Sequence, residues 1–108
     1  MTVEKLAKDL NLEFAAGENG SSRVISGVYI CDLLSFAMSK APKGSAWITI
    51  MNNLNLVAAA SFADVSCVII CHGIIPDKAA IEKANELGLP ILLSNLPAFE
   101  TGKAIYLS

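Results

Sequence analysis

The residues with the most chemical capacity in this chain stand just beyond apolar runs. His72 is the only histidine; it follows Cys67 to Cys71 and precedes Gly73. An imidazole there can donate or accept a hydrogen bond near neutral pH, and base catalysis would fall to it or to a carboxylate. No serine or cysteine has an identifiable base beside it, so no catalytic residue is assigned. The position reads either as a turn histidine bonded to backbone or as a ligand contact. Asn52, Asn53 and Asn55 follow Ala46 to Met51. Three carboxamides in one turn cap a helix by default, and they can also hold a small polar or anionic ligand with help from the helix N-terminus. Asp32, after Val24 to Cys31, has the same two readings: helix cap, or contact with a ligand or partner. Ser94 and Asn95 follow Pro90 to Leu93. Arg23, between a polar loop and a strand, can pair with a carboxylate or clamp an anion.

Other chemistries lack their residues. Phosphate transfer of the P-loop type needs Gly-x-x-x-x-Gly-Lys-Ser/Thr; around Gly102-Lys103, Pro97 takes the place of the first glycine and Ala104 that of the hydroxyl. Gly17-Glu18-Asn19-Gly20 lacks the third glycine of a dinucleotide loop and its strand-to-helix setting. Cys31, Cys71 and His72 would form a soft-metal trio only if their strands were neighbours, and no closely spaced ligand pair supports a metal site. No metal or cofactor is assigned.

Composition narrows the class further. With 54% hydrophobic residues in 108, the chain is expected to fold as one compact domain over residues 1–108. Charged residues make up only 17% and the net charge is −2, so little repulsion opposes self-association and a homodimer is expected. Eight Lys and Arg are dispersed among ten Asp and Glu without a basic run, which argues against nucleic-acid binding. Apolar segments are strand-sized or interrupted, well short of the roughly 20 residues that span a bilayer, so no membrane partner is expected. The three cysteines are odd in number and include no CxxC pair, consistent with a reducing cytoplasm.

The elements that must position these residues alternate. Thr2 caps an expected helix over Val3 to Leu10, and Leu12 to Ala16 read as a short strand ending in the polar loop Gly17 to Ser22, the most flexible composition in the chain. Val24 to Cys31 reads as a long strand, with Gly27 as a bulge or a point of close backbone approach. Three further strands, Trp47 to Met51, Val65 to Cys71 and Leu89 to Leu93, alternate with helices over Leu33 to Met38, Leu54 to Phe62 and Lys78 to Leu87; the third helix is capped near Asp77 and stopped by Gly88. Pro97 begins a final helix weakened by Gly102. Such alternation predicts an α/β fold with a mainly parallel sheet and helices on both faces, with the strand C-termini along one edge.

Ser22-Arg23-Val24-Ile25-Ser26-Gly27 resembles the DRTGG domain family, with Arg23 and Gly27 matching its Asp-Arg and Thr-Gly pairs and Ser22 and Ser26 replacing Asp and Thr. The order of Asp32-Leu33-Leu34, Trp47-Ile48-Thr49, Asn55 to Ala60, Ile74-Ile75-Pro76-Asp77 and Gly88-Leu89-Pro90-Ile91 extends the resemblance over nearly the whole chain. The resemblance implies a fold like the N-terminal, non-kinase domain of HPr kinase/phosphorylase and a non-catalytic regulatory or small-ligand-sensing role. The alternative it implies is a protein-interaction scaffold or accessory protein for a redox or hydrogenase system. The expected ligand site comprises Asp32, Asn52, Asn53, His72, Gly73, Ser94 and Asn95 in one concavity, with Arg23 as a further ligand residue. The expected ligand is a small anionic metabolite or nucleotide, alongside a second copy of the chain and a protein partner.

Overall fold

The computed structural model describes residues 1–108. Five strands, β1 (Glu13–Ala16), β2 (Gly27–Ile30), β3 (Ser45–Thr49), β4 (Cys67–Ile70) and β5 (Ile91–Leu93), form one sheet in the order β1-β5-β4-β3-β2. β2 to β5 pair in parallel, and β1 alone runs antiparallel, against β5. The alternation read from the sequence thus gives the expected mainly parallel sheet.

Its two faces are covered by different helices. Trp47, Val68, Ile70 and Ile91 point to the side that holds Ala37 of α2 (Leu34–Lys40), Leu56 and Ala60 of α3 (Leu54–Ala63), and Ala80 and Ala84 of α4 (Lys78–Leu87). Ala46, Ile48, Cys67 and Ile69 point to the other side, against Val3 and Leu6 of α1 (Val3–Asp9) and Ile105 of α5 (Ala98–Leu107). β3 and β4 are buried along their whole lengths because both faces are covered, which is why their sequences do not alternate. Trp47 is fully buried, and its indole N–H donates to the Cys31 carbonyl (2.9 Å), so its one polar atom is satisfied.

Several helix ends follow their local signals. Lys5 N–H donates to Thr2 Oγ1 (3.1 Å) at the start of α1, and Gly88 ends α4 with a left-handed φ of 65°. Other expectations are corrected. The long strand from Val24 shrinks to Gly27–Ile30, because Val24 bridges Thr2 and Ile25 N–H donates to the Met1 carbonyl; the chain start competes for this backbone. Gly27 is neither a bulge nor a close approach, since a Cβ there would meet open space. α5 continues through Gly102 to Leu107, with Gly102 seated over the side chains of Ile30 and Ile48.

Candidate functional site

The two ends of the sheet differ in how their polar groups are engaged. At the N-terminal end of the parallel strands the connections are locked to one another. The loop after β1, expected to be mobile, packs backbone to backbone: a Cβ on Gly17 would lie 1.9 Å from the Leu89 carbonyl oxygen, and one on Gly20 1.9 Å from that of Gly88. Gly17 N–H donates to Asn85 Oδ1 (2.7 Å). Arg23 belongs to this end. Its guanidinium donates to the Val65 carbonyl (3.2 Å), Ser66 Oγ donates to the Val24 carbonyl, and Ser26 Oγ donates to the Lys43 carbonyl (3.0 Å). The Arg23 contact is thus to backbone; with Lys43, Asp64 and Ser66 it lines an open cleft of about 410 Å³, at the far end of the sheet from the other seven candidate residues.

Those seven do lie beyond the C-terminal ends of β2 to β5, but they do not share one concavity. Asp32 is no helix cap: Leu33 occupies the cap position of α2, and the Asp32 carboxylate accepts from Thr49 Oγ1 (2.8 Å) and from Ile50 N–H (3.0 Å). It joins the ends of β2 and β3. Asn52 donates through Nδ2 to the Ile75 carbonyl (2.9 Å), and Asn53 accepts from Leu56 N–H as the N-cap of α3 (3.2 Å). Ser94 is buried, its hydroxyl 2.8 Å from that of Thr101. Structural duties engage these four.

The remaining three are exposed around one turn. His72 and Gly73 adopt left-handed backbone, with φ of 60° and 71°. A non-glycine residue in that region is strained, and the turn is held by His72 N–H on the Leu96 carbonyl (3.1 Å) and Gly73 N–H on the Ser94 carbonyl (3.0 Å). Asn95 Oδ1 lies where a Cβ on Gly73 would approach it to 3.3 Å. Gly73 and Asn95 line a partly enclosed cleft of about 280 Å³ together with Asn11, Glu13, Ile75 and Leu93. No protein group hydrogen-bonds or ion-pairs with the side chains of Asn11, Glu13 or Asn95.

Asn11 and Glu13 were not among the expected site residues. Their place follows from the direction of β1: running antiparallel, it begins opposite the end of β5, with Glu13 paired to Leu93. Asn11, with φ of 53°, turns the chain from α1 into that strand. The local signal for Asn11 was present in its tolerance of left-handed backbone, but no residue in Leu12 to Ala16 states strand direction.

Cysteine chemistry finds no support at this edge. Cys71 packs with the α1 and α5 face, whereas Cys31 packs against the opposite one, so the sheet separates the two thiols. Burial raises the Cys71 pKa and pushes that of Cys67 up to about 12, which keeps both thiols protonated and poorly nucleophilic near neutral pH. Exposed apolar side chains, Leu33, Ile50, Leu54, Ile75 and Leu96, rim the same edge. No helix is long and apolar enough to cross a membrane.

Comparison with known proteins agrees with this architecture. The sequence model of the DRTGG domain matches residues 5–108, and the chain belongs to the DRTGG domain family. Among solved structures, it is similar to the CBS and DRTGG domains of the regulatory region of Clostridium perfringens pyrophosphatase, a structure complexed with the activator diadenosine tetraphosphate. The TM-score is 0.77 at 17% identity, over 96% of this chain and 45% of that one. The chain thus spans less than half of that regulatory region. No curated protein matches the sequence.

Proposed function

We propose that this DRTGG domain is a non-catalytic regulatory module that senses a small ligand in the cleft at the C-terminal edge of its sheet. The observation that carries the reading is the cleft itself, lined by three polar side chains, Asn11, Glu13 and Asn95, that have no protein partners. Open parallel sheets bind ligands at this edge. The similar fold comes from a regulatory region crystallised with an activating nucleotide; on that basis a small nucleotide-like metabolite is the class of ligand we assign, and residues 1–108 are taken as one sensing unit. Catalysis is not assigned, because the one histidine has no nucleophile placed beside it and the buried thiols are held protonated.

The domain is also inferred to pair with a second copy. β2 is an open sheet edge, and beside it Val28, Ile30, Phe99 and Tyr106 line a mainly apolar groove with Lys103 as its one charged residue, Phe99 and Tyr106 being exposed by 68% and 85%. An uncharged edge strand next to exposed aromatics supports symmetric pairing across a two-fold axis. Light scattering at high concentration is expected to give a dimer mass, and Tyr106→Glu the 11.4 kDa monomer. A wild-type monomer would refute the pairing.

A thermal-shift survey of metabolites tests the sensing role. A ligand that binds the folded domain raises Tm with concentration, and Asn95→Ala is expected to abolish that rise while leaving the unliganded Tm unchanged. A saturating panel of nucleotides and other metabolites without any shift would refute sensing and favour the scaffold.

A further inference from the structure

We propose that the cleft recognises the uncharged, hydroxyl-bearing end of its ligand, a ribose or nucleoside, through the Glu13 carboxylate, and leaves any phosphate outside. This rests on the reading of the cleft as the ligand site and specifies what that site accepts. Glu13 is the only charged residue in the lining, and no Lys or Arg accompanies it. A phosphate placed there would face a like charge with no cation to offset it.

Most backbone donors of the turn are already bonded, while the Ile75 and Asn95 N–H groups have no protein partner. The engaged amides are those of His72 and Gly73 as described, Ile74 on the Cys71 carbonyl (3.2 Å), and Ser94 on the Ile70 carbonyl (2.9 Å). An anion-binding nest needs successive N–H groups pointing outward, and the two open amides, of Ile75 and Asn95, belong to different segments and are not successive.

The lining does match a sugar or base. A carboxylate accepts from two hydroxyls, as it does with vicinal ribose hydroxyls, and the carboxamides of Asn11 and Asn95 each offer both donors and acceptors to a base edge. Ile75 and Leu93 supply apolar walls for a ring. The volume of about 280 Å³ is just below the range of drug-sized ligand sites, room for one nucleoside and not for a whole dinucleotide.

Calorimetric titration of the full chain with adenosine, 2′-deoxyadenosine, AMP and inorganic phosphate tests this. Adenosine and AMP are expected to bind within about threefold of each other, deoxyadenosine about tenfold more weakly, and phosphate alone not at all. Glu13→Gln should weaken adenosine about tenfold at unchanged Tm of the free protein, since an exposed side chain without a partner contributes little to folding. Binding of phosphate alone, AMP far tighter than adenosine, or adenosine affinity unmoved in Glu13→Gln would overturn the inference. Binding lost in Asn95→Ala but unmoved in Glu13→Gln rejects the carboxylate role alone and keeps the cleft as a ligand site. Nucleosides that bind with no response to either substitution reject the cleft as well. If no nucleoside or nucleotide binds, the inference fails; a different metabolite whose binding is lost in Asn95→Ala would still leave the sensing role standing.

Discussion

The two ends of the sheet contain similar residues and use them differently. At the N-terminal end Arg23, Ser26, Ser66 and Asn85 each donate to or accept from a backbone group of a distant segment, and Gly17 and Gly20 let two loops touch without side chains between them. At the C-terminal end Asn11, Glu13 and Asn95 have no protein partner. A polar side chain that closes a backbone group contributes to folding, whereas one left open to a cleft is available to something else. The family signature around Arg23 falls at the N-terminal end, so its residues here hold connections together and do not line the cleft of Glu13 and Asn95. The Asp32 carboxylate shows that the rule divides the open edge as well, because it is engaged by Thr49 and Ile50.

The largest expected effect breaks the N-terminal end outright. Gly17→Ala places a methyl against the Leu89 carbonyl at a left-handed φ of 68°. Relief requires moving backbone, and a loss of about 3 kcal/mol or more in chemical denaturation is expected. A loss below about 1 kcal/mol would show that the loop yields and that this end is not rigid.

Alkaline titration probes the same end. Burial keeps the folded Cys67 protonated up to about 12, while the unfolded chain releases that proton near 9.0. Stability fully present below pH 9.0 is therefore expected to fall as pH rises toward 12. Removing the thiol in Cys67→Ala should flatten that decline even though it lowers stability at neutral pH, and an unchanged slope in urea melts across the window would count against the tight burial of this strand.

A smaller effect separates the family signature from the cleft. Arg23→Ala leaves the Val65 carbonyl without its donor, and a loss of about 1 to 2 kcal/mol is expected in denaturant unfolding, with ligand affinity unaltered. Affinity falling in step with an intact fold would move the site to the other end of the sheet. Smallest is Asn95→Ala, expected to change stability by less than about 0.5 kcal/mol because its side chain is exposed and unpartnered. A cost above about 1 kcal/mol would erase the distinction between the two ends.

What was legible locally was accurate where a short segment carries its own physics. The left-handed stop at Gly88, the Thr2 and Asn53 caps, and the strand character of β3 and β4 depend on neighbours a few residues away. Asp32 shows where that reasoning ends: its sequence context is that of a helix cap, but Thr49 Oγ1 and the Ile50 amide, 17 and 18 residues on, offered the carboxylate two donors. The polar loop from Gly17 shows the same in reverse, since flexible composition also permits the closest backbone packing.

An α/β alternation with a parallel core, and polar residues after the strands, follow from the order of amino acids alone, because hydrophobic periodicity and turn chemistry are local. Which of those residues remain open depends on contacts between distant segments. Strand direction brought Asn11 and Glu13 beside Gly73 and Asn95, and long-range donors and acceptors claimed Asp32, Asn52 and Arg23. Those outcomes depend on which segments meet across the sheet, and the energy of that meeting comes from packing both faces at once.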